Sequence, residues 1–203
     1  MQDIWLIQAG GHSKQCIDIF LDNNYNIKGI FDDYKEGLFY RNINIIDKIT
    51  NINEYLHDGD YIFCCVGDNY RRKEIVEYIN KNKKCIWVNC ISKLAYISNS
   101  VKLGYGIYIG SYSKILSDTI INNFSILNDG STITHDNYID EYTHVASNVS
   151  LGGNVTIGKN CLIGMNSVVN PKIVISNNIT IGSGSVVTKS IYNSGIYKGV
   201  PCK

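Results

Sequence analysis

The sequence has almost no net charge: 19 Lys and Arg stand against 18 Asp and Glu, leaving +1. Before residue 90 there are 11 basic and 13 acidic residues, and beyond it 8 and 5. Neither half is a polycation, so an electrostatic grip on nucleic acid or an anionic membrane is not indicated and a small-molecule partner is expected. No stretch approaches the roughly 18 apolar residues that a membrane span needs. The opening MQDIWLIQAGGHSK lacks the basic region, apolar run and cleavage site of a signal peptide. Seven cysteines, an odd number without a CxxC pair, read as free thiols in a reducing compartment. The expectation is a cytoplasmic protein.

What is abundant is a six-residue period. From Ile91 every sixth residue through Ile97, Leu103, Ile109 and onward to Val187 is Ile, Leu or Val, seventeen positions with no slip. About a quarter of the chain is Ile, Leu or Val, so chance gives such a run with odds on the order of one in a billion. Four residues after each aliphatic comes a small or β-branched side chain, such as Ser113, Thr119, Val149 or Ser185, with Asn137 the one misfit. One position earlier, ten of seventeen residues are Gly, Asn or Asp, which tolerate the left-handed backbone of a sharp corner. A strand, a corner and another strand cannot bury a face alone, but coiling stacks each aliphatic over the next. Roughly five coils of three hexads fit, about 25 Å tall at strand spacing. Nothing is inserted between hexads, so no long loop projects from this part of the chain.

Residues 1–90 read differently. Apolar runs at 4–9, 27–31, 61–66 and 85–90 alternate with helical patterns at 13–22 and 71–81, which predicts a small parallel α/β sheet. Ligands of such sheets bind at the carboxyl ends of the strands, where the polar clusters fall. Gly10-Gly11-His12-Ser13-Lys14 suits a phosphate cradle at a helix start, although it is not GxGxxG and reads equally as a tight turn. Asp32 and Asp33 suit hydrogen bonds to a ribose or a base edge, or a solvated turn. Arg72 suits a diphosphate, or else is a surface charge on its helix.

The sequence holds four histidines, and two lie in the repeat, within THDNYIDEYTHVA. His135 comes two residues after inward-facing Ile133 and is expected to point outward at a corner. Asp136 follows it and could orient the imidazole or raise its basicity. Asn128 lies about one hexad back. His144 suits a wall position. Two histidines in the repeat are too few for a three-histidine zinc site, and no metal is expected.

The run LNDGSTITHDNYIDEYTHVASNVSLGGNVTIGKNCLIGMNSVV, the Pro171 turn, the ending GVPCK and AGGHSK, FDD and GDN near the front resemble bacterial nucleotide-amino-sugar N-acetyltransferases of the PglD type. That group includes the NeuD-like sialic acid O-acetyltransferases. The resemblance implies an α/β Rossmann-like domain over 1–90 and, over 91–203, an all-β left-handed parallel β-helix with a C-terminal tail. It implies transfer of an acetyl group from acetyl-CoA to the amine of a UDP-linked 4-amino-4,6-dideoxy sugar. His135 matches the family's general base, Asp136 its acidic neighbour and Asn128 a sugar-contacting asparagine. The acetyl-CoA contacts match His144, Gly153, Met165, Gly182, Ser183 and Gly184. The UDP part matches Gly11, His12, Lys14, Asp32, Asp33, Gly67, Asn69 and Arg72. Asp136 stands where the closest sugar N-acetyltransferases carry glutamate, so a shorter reach toward the histidine is expected. Asp68 stands where an asparagine is common. A homotrimer with active sites between subunits is implied as well. O-acetylation of a sialic-acid-type sugar is the neighbouring reading, and a β-solenoid scaffold or glycan-binding module is the non-enzymatic one.

Overall fold

The computed structural model describes residues 1–34 and 37–203. It divides into two compact units, Met1–Lys93 and Leu94–Lys203.

In the first unit, strands β1 (Gln2–Ile7), β2 (Tyr25–Phe31), β3 (Phe39–Tyr40), β4 (Ile43–Asp47), β5 (Tyr61–Cys64) and β6 (Ile86–Trp87) form one sheet. Their order is β3-β4-β2-β1-β5-β6, parallel throughout except for the β3–β4 pair. Central β1 buries Ile4 through Ile7 without alternation, as a strand covered on both faces must. Helix α1 (Gly11–Asp22) turns Cys16, Ile17, Ile19 and Phe20 inward, and Phe20 meets the Phe63 ring edge-on at 5.3 Å. Helix α2 (Asn69–Asn82) buries Arg72, Ile75, Val76 and Ile79. The expected strands and helices are present, but the periodicity gave no sign of the β3–β4 hairpin or of the 3-10 turn Ile49–Glu54. The hairpin turns on Arg41 and Asn42, both at positive φ, so it has the geometry of an Asn-Gly turn without the glycine that announces one.

The second unit is a left-handed parallel β-helix. Its two-residue strands pair with those 18 residues on: Ile115 with Ile133, Ile133 with Leu151, Leu151 with Val169, Val169 with Val187. Two further columns run from Leu103 to Ile175 and from Ile109 to Ile181. Three hexads therefore make one triangular coil. From Ile109 on, the stacked aliphatics are essentially without solvent contact. One residue per hexad from Gly106 to Gly184 has φ between 57 and 69°, always just before the small interior residue. At four corners this residue is Tyr112, Phe124, Tyr142 or Lys172 rather than Gly, Asn or Asp. Two of those rings offset the backbone cost by stacking, Phe124 on Tyr142 at 5.3 Å and 11°.

The interior hydroxyls follow one rule. Ser113 donates to the Asn128 carbonyl (3.0 Å), Thr119 to Thr134 (2.9 Å), Ser125 to Asp140 (3.0 Å), Thr143 to Gly158 (2.7 Å) and Ser167 to Gly182 (3.0 Å). Each reaches the carbonyl fifteen residues ahead and so ties one corner of the prism to the next. The small interior side chains thus serve hydrogen bonding as well as space.

Candidate functional site

In the first unit, the predicted ligand residues gather at the carboxyl ends of β1, β2 and β5. Gly10 caps α1, and its carbonyl accepts the Ser13 and Tyr40 hydroxyls, each at 2.6 Å. Asp32 is buried and accepts the Ala9 amide (2.8 Å) and the Tyr34 amide (2.9 Å), fastening the end of β1 to that of β2. Gly11 and Lys14 are exposed on the first turn of α1, and Gly67 lies against His12. Asp33 accepts from the Ile49 amide and pairs with Arg71 at 2.9 Å, on the rim of a cleft lined by Ile49, Thr50, Ile75 and Tyr78. Arg71 was not expected at this site; its nearest sequence signal is adjacency to Arg72.

Arg72 departs from the expected diphosphate contact. Its guanidinium is turned inward and donates to the Val66 carbonyl (2.9 Å), the Gly67 carbonyl (3.0 Å) and Asn69 Oδ1 (2.8 Å). It shapes the loop from Val66 to Asn69 from below. Asp68 caps α2 by accepting the Arg71 amide at 2.8 Å, a role that aspartate fills as well as asparagine. His12 is held neutral: burial, then the Arg72 charge, push its pKa down from 6.5 to about 4. A folded state that resists protonation loses stability where the unfolded chain gains the proton. The unfolding free energy is therefore expected to fall as pH drops from 6.5 toward 4, by at most about 3 kcal/mol, and the melting midpoint with it. Comparing thermal melts of the protein and its His12→Asn variant across that window checks this; equal slopes would refute it.

In the second unit, His135 and Asp136 occupy an exposed corner, with Nδ1 of the imidazole 2.7 Å from Asp136 Oδ2. Asp136 takes φ 57°, and its amide donates to the Ser117 carbonyl one coil back. The shorter carboxylate therefore does reach the histidine, because the left-handed corner swings it beside the ring. A carboxylate can only accept, so Nδ1 is the donor in this pair, and in the neutral ring Nε2 is then the accepting nitrogen. One coil on lies Gly153, where a Cβ would stand 2.5 Å from His135 Cε1 and 2.6 Å from Nε2. The imidazole rests in the space that this glycine leaves.

Backbone amides at the corners divide into two kinds. Those of Ser111, Tyr105 and Lys159 are capped by Asp129, Asn123 and Asn177, each 18 residues on. Those of Asp129 and Glu141 are capped by the preceding Asn128 and Asp140. Gly153 has neither device, since Gly152 precedes it and Pro171 stands 18 residues on. Among the described residues its N–H donates to nothing. The same holds for the amides of Ser117, Asn123, His135 and Asn177 and for those of Ser147, Met165 and Ser183; the last three are stacked one coil apart on another edge of the prism, with no charged or carboxamide side chain among them. Ser147 was not among the predicted residues, but the missing Asn or Asp at both capping places could have revealed it.

The single chain thus brings His135, Asp136 and Gly153 together on one edge. Met165 and Gly182, Ser183 and Gly184 lie on the next edge, one hexad away, and His144 on the wall leading to it. Asn128 shares that other edge, where its side chain caps its own corner, and is not beside His135. Five of the seven thiols, Cys16, Cys64, Cys65, Cys90 and Cys161, are buried, and burial pushes each above its ordinary pKa. Among the described residues no cluster could hold a metal ion, and no helix is long and apolar enough to cross a membrane.

A Rossmann-like unit with a loop-built polar cleft, joined to a hexapeptide prism bearing an outward His–Asp pair, defines a class of protein. Residues 3–79 match the PglD N-terminal domain and residues 154–189 the bacterial transferase hexapeptide repeat. The two matches fall one in each unit. Over 123 residues it is 55% identical to an uncharacterized protein of Acanthamoeba polyphaga mimivirus, a match spanning 61% of this chain and 24% of that protein. The chain thus spans about a quarter of the length of this curated relative. Among solved structures, the GDP-perosamine N-acetyltransferase of Caulobacter crescentus, a histidine-to-alanine variant with CoA and GDP-perosamine, superimposes with TM-score 0.92. It is 24% identical, over 100% of this chain and 96% of that one. The acetyltransferase domain of PglB from Neisseria gonorrhoeae, with acetyl coenzyme A, gives TM-score 0.92 at 23% identity over 100% and 98%. WeeI from Acinetobacter baumannii gives 0.88 at 20% over 100% and 99%.

Proposed function

We propose that the chain is an acetyl-CoA-dependent N-acetyltransferase acting on the amine of a nucleotide-linked amino sugar, with His135 as general base. The observation that carries this reading is the His135–Asp136 pair with its open Nε2, set beside the uncapped Gly153 N–H. As the amine attacks the thioester carbonyl, a C–N bond forms and the amine proton passes to Nε2. The oxyanion receives a hydrogen bond from the Gly153 N–H, and collapse then breaks the C–S bond. The imidazolium returns its proton to the departing thiolate. No step needs a nucleophilic side chain, in keeping with the buried thiols. The Caulobacter and Neisseria structures, which hold CoA with GDP-perosamine and acetyl coenzyme A, support this choice of substrates.

The finer reading is a UDP-linked 4-amino-4,6-dideoxy sugar. In it, Gly11, His12, Lys14, Asp32, Asp33, Gly67 and Asn69 form the nucleotide diphosphate site, with Arg72 bracing the loop. His144, Ser147, Met165 and Gly182 to Gly184 take the coenzyme, whose pantetheine amides and phosphates suit a column of uncapped N–H groups. Because this column and His135 lie on different edges of one prism, the active form is a homotrimer that sets one copy's His135 against another's column. The test is a turnover assay with acetyl-CoA and a panel of UDP- and GDP-linked amino sugars, following thiol release and product mass. Acetylation of a 4-amino sugar is expected. Turnover only with hydroxyl acceptors would move the chain to O-acetylation, and a preference for GDP would correct the nucleotide. No turnover with no acetyl-CoA binding would refute the enzyme.

A further inference from the structure

We infer that Asn137 is a positioning residue for His135, fixing from inside the prism the corner that carries the imidazole and its carboxylate. Asn137 fills an interior position that other hexads give to Ser, Thr, Cys, Ala, Val or Ile, and it is 1% exposed. A hydroxyl there would reach the carbonyl fifteen residues on, as those of Ser125 and Thr143 do. The longer carboxamide turns back into its own coil instead. Its nitrogen donates to the Thr134 carbonyl at 2.8 Å and the His135 carbonyl at 3.3 Å, while Oδ1 accepts the Val155 amide at 2.9 Å. Those two carbonyls belong to the peptide planes on either side of the His135 Cα. The Thr119 hydroxyl also donates to the first (2.9 Å) and the Asn154 amide to the second (3.0 Å), but only Asn137 ties the two planes together and so fixes φ and ψ of His135 relative to each other. The second plane also leads into Asp136, so the same amide sets where the carboxylate meets Nδ1. The bond to Val155 is buried and the two to the carbonyls are partly so, whereas the His135–Asp136 bond is exposed and by itself holds the ring weakly. A buried carboxamide in a column of small side chains is thus accounted for by the corner it holds, rather than by the volume it fills.

The turnover arm of the test rests on His135 being the base; the spectroscopic arm does not. The full chain is labelled with ¹⁵N-histidine, and the His135 ring signals are identified by their loss in His135→Ala. Asn137→Ser and Asn137→Thr put in residues that the prism already accepts at this position, so folding is expected. In both, the Nδ1 and Nε2 signals of His135 are expected to move toward each other as the Nδ1–H tautomer loses its excess. Turnover should fall about tenfold, with KM for both substrates within about twofold. Ser125→Ala, which removes an interior bond at the next corner, should leave the His135 signals and turnover unmoved. Unmoved His135 signals in folded Asn137→Ser and Asn137→Thr would overturn the inference. So would equal shifts in Ser125→Ala, or failure of both Asn137 variants to fold, which would make the residue structural. Absent turnover in the parent protein would sink the proposed reaction while the ring signals still decided the role of Asn137.

Discussion

His135→Ala is expected to lower kcat by about 100-fold or more while changing the affinity for acetyl-CoA by less than about twofold. The imidazole is exposed, with 63% of its side-chain surface in contact with solvent, and among the described residues its side chain bonds only Asp136. Removing it leaves no cavity and no buried group unpaired, so the unfolding midpoint should hardly move. What is lost is the imidazole nitrogen that faces away from Asp136 and serves as the proposed proton acceptor. The column of uncapped amides at Ser147, Met165 and Ser183 stands on a different edge and is untouched. Calorimetric binding of acetyl-CoA beside steady-state kinetics separates the two effects. Near-full turnover in the variant would remove His135 from the chemistry, and lost coenzyme binding with it would make the residue a ligand instead.

The prism was legible to the single residue because its physics is repetitive. Each aliphatic from Ile115 to Val187 sits over its counterpart 18 residues earlier, so one register error would have broken the pattern. The corner at His135 was legible for the same reason, since a position two past an inward Ile faces out. Reach was not legible. Asp136 reads as a shorter reach than glutamate, and the left-handed φ that its place in the hexad imposes is what brings the carboxylate to 2.7 Å. Arg72 looked like a ligand for phosphate because charge is visible in a sequence and the three carbonyl and carboxamide oxygens that absorb it are not. Asn137 was noticed only as a misfit, since a carboxamide in a column of hydroxyls says nothing of which way it turns.

Gly153→Ala is expected to cost about 100-fold in kcat without loss of stability. The residue does not require a glycine backbone, as no left-handed φ is recorded for it. Its own coil is anchored on both sides, the Asn154 amide donating to the His135 carbonyl at 3.0 Å and the Lys172 amide to the Gly153 carbonyl at 2.9 Å. The backbone therefore cannot retreat, and a methyl group 2.6 Å from Nε2 must drive the exposed imidazole aside. A displacement near 1 Å is enough for a loss of this size, because the proton must leave the attacking amine along one line. Meanwhile the substitution removes freedom from the unfolded chain, worth about 0.4–1 kcal/mol in favour of the fold. Gly152→Ala is the contrast: its Cβ would meet the Pro171 ring at 2.6–2.8 Å, a contact inside the stack that no surface side chain can relieve. That variant should lower the unfolding midpoint, as overpacking does. Two adjacent glycines are thus expected to separate activity from stability, read by kcat and thermal melts on the same preparations. A fully active Gly153→Ala would mean that the imidazole works from a position other than the one in which it rests on Gly153.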